Sequence, residues 1–344
     1  MMQKSSHKHI LVIRLSAMGD VAMTVPVLRA FTQTYPDIKV TVVTKSFFKP
    51  FFRDLKNVSV FEADLKGRHS GLLGLWRLAK ELKLLKFDVV ADFHNVLRSN
   101  ILKIIFFFFG KQTVQINKGR AEKKALVTGQ HFKQLKTSHQ RYADVLEGLG
   151  FQVDLSNPTF PERASLDEEL VTFIGKDTKR WIGVAPFAAF AGKVYPIDLM
   201  ETVIDDLSKR YKVLLFGAGK EEELLLKKLS ENKSQVLNLA GKFSLSQELD
   251  IISNLDLMVA MDSGNAHMAA MMGIEVVTIW GVTHPYAGFY PFNQSKQNAA
   301  LADRKQYPQI PTSVYGKTLP KGYENILRSV SPEQVIAKVE HILT

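Results

Sequence analysis

The stretch His9-Ile10-Leu11-Val12-Ile13-Arg14-Leu15-Ser16-Ala17-Met18-Gly19-Asp20 decides how the chain folds. Its apolar run has no alternation, which is what a strand buried on both faces requires. A small turn containing Gly19 follows, and a helical pattern then runs to about Thr34. Pro26 falls inside that helix, where the lost N–H predicts a kink. The same alternation continues outward. Val40–Thr44, Val58–Phe61, Val89–Phe93 and Thr113–Ile116 read as strands, and Gly71–Leu85, Arg98–Phe109 and His139–Leu149 as helices. Apolar strands alternating with helices indicate a parallel sheet covered on both faces.

The pattern breaks at Ser156–Pro161, where two prolines beside Ser and Asn mark an extended linker. It then restarts with strands Trp181–Ala185, Lys212–Phe216, Val236–Leu239, Leu257–Ala260 and Val276–Ile279. Helices Ile197–Tyr211, Glu221–Leu229, Ser246–Ser253 and Gly264–Met272 lie between them. Ser331 and Pro332 carry the start signal of a closing helix ending at Leu343. The expected fold class is therefore α/β: two doubly wound domains, 1–157 and 158–330, facing across a cleft, followed by the helix in 331–344. In such sheets ligands sit outside the carboxyl ends of the strands.

At 344 residues the chain suits two domains of about 150 each. With 46% hydrophobic and 23% charged residues it is neither disordered nor fibrous. The absence of cysteine excludes disulfides, zinc-thiolate sites and cysteine nucleophiles, and fits a reducing compartment. The longest apolar run, Ile104–Phe109, is far below the roughly 20 residues that span a bilayer, and reads as a buried helix segment. Met1–His9 is polar with no signal-peptide pattern, so the expected location is cytoplasmic. The net charge of +11 is uneven: residues 1–157 hold 25 Lys and Arg against 12 Asp and Glu, and residues 158–344 hold 20 against 22. An anionic partner for the first half follows, unless the excess is solubility charge.

Four strand-end segments carry candidate chemistry. Asp20 sits where the first strand meets its helix, as a carboxylate available to a ligand or as a simple N-cap. Asp262-Ser263-Gly264-Asn265-Ala266-His267 again joins a strand end to a helix, and free N–H groups there form an anion site. The alternative is a plain Ser or Asp cap with a packed His267. Lys193 lies in a loop, either solvated or able to neutralise leaving-group charge. Phe216-Gly217-Ala218-Gly219-Lys220-Glu221 is half a dinucleotide fingerprint, lacking the third glycine. No GxxxxGK[ST], Asp-x-Asp or HExxH occurs, so no metal site is expected.

These residues resemble glycosyltransferase family 9, the ADP-heptose:lipopolysaccharide heptosyltransferases. The resemblance rests on Ile10–Asp20 with Pro26 and Leu28, and on Asp262-Ser-Gly-x-x-His267 followed by Ala269-Ala270, Gly273 and Trp280-Gly281-Val-Thr283-x-Pro285. Lys193-x-Tyr195-Pro196, Asn238-Leu-Ala-Gly241 and Arg98-Ser99 are smaller echoes. It implies a GT-B-like fold of two Rossmann-like domains, the first binding an acceptor and the second a nucleotide-sugar, with the closing helix returning to the first. It further implies an inverting transfer without a metal or cofactor, from a nucleotide-sugar such as ADP-heptose to an anionic lipopolysaccharide-core glycolipid. Asp20 becomes the general base and Lys193 the leaving-group stabiliser. Asp262, Ser263, Gly264, Asn265, Ala266 and His267 border the diphosphate, Glu221 (or Glu222) the ribose and Phe243 the base. Arg98 and Arg120 are the implied acceptor contacts, and transient contact with the inner-membrane surface follows from the basic first half. Where members often have Phe-Gly-Pro-Thr, this chain has Trp280-Gly281-Val282-Thr283. Rival readings are a nucleotide-sugar 2-epimerase of the same architecture and a non-catalytic binder of anionic lipid or nucleic acid. The last is disfavoured because the aromatics fall inside apolar patterns rather than along a basic groove.

Overall fold

The computed structural model describes residues 7–175 and 178–344; Met1–Ser6 of the polar leader lie outside it. Contacts divide the chain into two compact units, one of residues 1–118 and 138–159, the other of 119–137 and 160–344.

The first unit contains β1 (His9–Ile13), α1 (Met18–Ala22), α2 (Thr24–Thr34), β2 (Lys39–Thr44), β3 (Val58–Glu62), α3 (Gly71–Lys83), β4 (Val89–Asp92), α4 (Leu97–Phe108) and β5 (Gln112–Gln115). Its sheet runs β3-β2-β1-β4-β5, all parallel, with β1 central as its unbroken apolar run requires. The expected first helix is two helices. α1 ends before Met23, and Pro26 occupies the third position of α2, where its missing N–H costs no helical bond. The chain then gives α5 (Arg120–Val127) to the second unit and returns with α6 (Ser138–Glu147).

The second unit continues with α7 (Glu168–Ile174), β6 (Trp181–Ala185), α8 (Ile197–Leu207), β7 (Lys212–Leu215), α9 (Lys220–Ser230), β8 (Val236–Asn238), α10 (Leu245–Ser253) and β9 (Leu257–Met261). α11 (Gly264–Met271), β10 (Val276–Trp280), β11 (Ala299–Leu301) and α12 (Pro332–Leu343) complete it. Its parallel sheet runs β11-β10-β9-β6-β7-β8. The short β11 escapes sequence reading because Ala-Ala-Leu has no strand signature of its own.

Three expectations are corrected. Residues 119–137 pack in the second unit, not the first. Leu126 and Leu135 form an apolar cluster with Ala287, and Leu135 N–H donates to the Tyr286 carbonyl at 2.9 Å. Part of the positive charge of the N-terminal half, on Arg120, Lys123, Lys124, Lys133 and Lys136, therefore belongs to the second unit. Next, the closing helix α12 packs within the second unit. Val335 and Val339 are fully buried in the second core with Ile204, Leu257 and Ile279. Finally, Ile104–Phe109 is only half core: Ile105 and Phe106 are buried, while Ile104, Phe107 and Phe108 are exposed. A six-residue apolar run winds right round a helix, so one sheet can cover only part of it.

Ser331 caps α12 reciprocally with Gln334, accepting its backbone N–H at 3.3 Å. Removing that cap in Ser331→Ala is expected to lower stability by about 1 kcal/mol, read as a fall in the denaturant midpoint.

Candidate functional site

In the first unit the chemistry gathers just past β1 and β4. Asp20 is not the N-cap of α1; that position is Ala17, and Asp20 stands three residues on. Its Oδ2 accepts the Ala17 N–H at 3.4 Å and pairs with Arg14 Nη2 at 2.5 Å. Oδ1 has no protein partner among the described residues, and the side chain is 33% exposed. Arg14 is buried, donates through Nη1 to the Phe93 carbonyl at 2.8 Å and lies over the Tyr142 ring. Burial works against its charge, but Tyr142 and Asp20 outweigh it and raise its pKa. The guanidinium is thus a fixed clamp on one carboxylate oxygen.

The β4 turn is tied by Asp92, whose Oδ1 accepts the backbone N–H groups of His94 and Asn95, both at 2.9 Å. This turn presents His94, which sequence reasoning missed because a lone histidine after a strand carries no pattern. The Leu15 N–H donates to His94 Nδ1 at 3.4 Å, which leaves the ring proton on Nε2. Burial first, then Arg14, Lys118 and Arg98, push the His94 pKa down to about 3 against the pull of Asp20. Arg98, exposed at the start of α4, and Lys118 therefore belong to the electrostatic surroundings of this cluster. Arg120 does not join them on this unit; it opens α5 in the second.

In the second unit Lys193 is not a solvated loop lysine. Its side chain is 12% exposed, and Nζ meets Asp262 Oδ2 at 2.9 Å. Thr283 Oγ1 donates to the same oxygen at 2.9 Å, a partner that only the fold reveals. The Lys193 loop is bolted down on either side. The Gly192 carbonyl accepts the Val282 N–H at 3.1 Å, and Tyr195 Oη donates to the Val330 carbonyl at 2.7 Å. A Cβ on Gly192 would stand 2.7 Å from Val282. Gly316, at φ +85°, lets the chain lie against the Lys193 stem, since a Cβ there would fall 2.3 Å from its Cδ. Gly316 of the irregular 303–323 segment thus lies against the lysine stem.

Beyond Asp262, α11 opens at Gly264 with Ser263 in the cap position, yet the Ser263 hydroxyl makes no capping bond. Its Oγ is buried with no protein partner among the described residues. The plain-cap alternative fails on that atom: a buried hydroxyl left unsatisfied costs stability unless something outside the chain meets it. Gly264, Asn265 and Ala266 form the first turn, whose N–H groups lack helical acceptors, and His267 is buried one turn on. Lys193 and Asp262 therefore stand at the positive end of α11. On α9, Glu222 folds back so that its Oε2 accepts the Ala218 N–H at 2.8 Å, which leaves Glu221 and Glu223 as the exposed carboxylates of that turn. Phe243, half-buried, packs edge-on against Phe173 at 5.2 Å. Among the described residues no three His, Asp or Glu side chains converge to hold a metal ion.

The His94 pKa depressed to about 3 makes a directional prediction. Below the ordinary histidine value near 6.5 the unfolded chain takes up a proton that the folded chain refuses. Stability therefore falls as pH drops from about 6.5 towards 3. By NMR, the His94 ring is expected to show no titration between about pH 8 and 5; a midpoint near 6.5 would contradict the buried, neutral ring.

The sequence profile of glycosyltransferase family 9 (heptosyltransferase) matches residues 75–318. A lipooligosaccharide heptosyltransferase 2 of Campylobacter jejuni is 24% identical, over 95% of this chain and 96% of its own. A family 9 glycosyltransferase of Veillonella parvula superposes with a TM-score of 0.75 at 22% identity, covering 98% of this chain and 97% of its own. An Escherichia coli heptosyltransferase solved with ADP gives 0.70 at 19% identity, covering 97% and 99%.

Proposed function

The chain belongs to glycosyltransferase family 9, the heptosyltransferases, and on that premise we propose that it moves a heptose or related sugar from an ADP-linked donor to a lipopolysaccharide-core acceptor, inverting the anomeric centre without a metal ion. The observation that carries the reading is the division of labour on the Asp20 carboxylate. Oδ2 is held by Arg14, and Oδ1 is left to a ligand.

An acceptor hydroxyl is a poor nucleophile until its proton is taken. Asp20 Oδ1 takes that proton as the hydroxyl oxygen bonds to the anomeric carbon. The bond from that carbon to the diphosphate breaks, and its electron pair leaves with the nucleoside diphosphate. Attack opposite the leaving group inverts the centre. Arg14 keeps the base oriented, and His94 stays an uncharged neighbour. The leaving diphosphate gathers charge, which Lys193, the first N–H groups of α11 and the Ser263 hydroxyl meet. Asp262 and Thr283 position the lysine. Glu221 is the candidate ribose ligand and Phe243 the candidate neighbour of the base, while Arg98 and Lys118 suit an acceptor carrying phosphate or carboxylate. The names of the relatives support this choice of sugar and acceptor class.

Asp20→Ala is expected to lower turnover about 10²- to 10⁴-fold while donor affinity holds. Unchanged turnover would remove Asp20 from the chemistry, and isomerised sugar from donor alone would point to an epimerase. Among ADP-, UDP- and GDP-sugars, ADP-heptose should give the largest rise in melting temperature. Ser263→Ala should weaken ADP binding about tenfold without lowering the melting temperature, since the hydroxyl bonds nothing among the described residues.

A further inference from the structure

The outer faces of α3 and α4 are apolar and basic together, with no use in the transfer chemistry. On α3, Leu72 and Leu73 are 70% and 84% exposed and Trp76 is also open; on α4, Phe107 and Phe108 are 74% and 77% exposed beside Ile104. The two helices pack side by side, joined by Trp76 against Phe109 at 5.8 Å. Cations are threaded through the patch: Lys80 Nζ lies over Trp76 at 5.5 Å and Lys83 Nζ over Phe109 at 4.4 Å, with Arg77 and Lys103 alongside. Acids are missing from it. α4 has none, and the one on α3, Glu81, is engaged by Arg68 and His69.

We propose that this face docks on an anionic phospholipid bilayer, inserting its leucines and aromatics between headgroups while its lysines and arginine meet lipid phosphates. Charge complementarity selects this occupant. A two-fold contact with a second copy would bring the same cations face to face with no acid to pair them. Exposed Trp and Phe flanked by Lys is the composition of an interfacial element. No helix among the described residues is long and apolar enough to cross a membrane, so the contact is superficial. α4 begins three residues after His94 and carries Phe107 and Phe108 in its last turn, so the aromatic end of the patch lies away from that strand end, along the side of the same unit. The inference goes beyond the transferase reading and is tested apart from it.

The full chain is mixed with vesicles of phosphatidylethanolamine and phosphatidylglycerol, and with neutral phosphatidylcholine vesicles, and bound protein is measured by flotation. Binding is expected to the anionic vesicles only, and to weaken with salt. Phe107→Ser with Phe108→Ser, and separately Lys80→Glu with Lys103→Glu, should each weaken it at least about tenfold. Both pairs should turn over a water-soluble, deacylated acceptor as the parent does, so that failure of the transferase reading registers in a different measurement. Equal vesicle binding by parent and variants, or none by the parent, overturns the proposal. So does a dimer of the lipid-free parent that both variants dissolve, because the face would then belong to a second copy.

Discussion

A strand covered on both faces has no room for a charge along its length, and the rest of this structure follows from that. Ile10–Ile13, Val89–Ala91, Leu257–Met261 and Val276–Ile279 are all buried. Polar chemistry is therefore displaced to the turns that leave the carboxyl ends of the strands. Asp20 and His94 follow β1 and β4; Lys193 and Asp262 follow β6 and β9. The same burial sets the terms on which charges exist there. Each is largely withdrawn from water and held by an opposite charge, Arg14 on Asp20 and Asp262 on Lys193.

Both clusters spend their pairing on one atom and leave another open. Arg14 and the Ala17 amide share Asp20 Oδ2, so Oδ1 is presented without a partner among the described residues. Lys193 and Thr283 share Asp262 Oδ2, while the neighbouring Ser263 hydroxyl is buried with nothing to bond among the described residues. Rigid anchoring on one side and an unspent donor or acceptor on the other is the form a preorganised ligand site takes. The cost of ordering these groups is met in folding rather than at the moment of reaction.

The distribution of charge gives the molecule a second level of organisation. The basic excess of the first half divides between the surroundings of His94, the α3–α4 face and the 119–137 segment that serves the second unit. Long-range attraction to anions is thus spread over several surfaces, whereas the buried Arg14, which also bears on His94, is committed to orienting one carboxylate.

Much of this was legible in the chain itself. Unbroken apolar runs specify buried parallel strands through local periodicity, and the Ile10–Asp20 and Asp262–His267 segments mark where chemistry meets them, because a strand-to-helix turn is written in consecutive residues. Sequence could not show that Pro26 begins a new helix, that Asp20 stands at the third helical position, or that Ile104–Phe109 is half exposed, since each depends on which face meets the sheet. Nor could it place Thr283 on Asp262, Gly316 on Lys193, His94 beside Leu15, or residues 119–137 in the second unit. Those partners are far apart in the chain and carry no local pattern. Only the packing of whole elements, driven by burial of their apolar faces, brings them together.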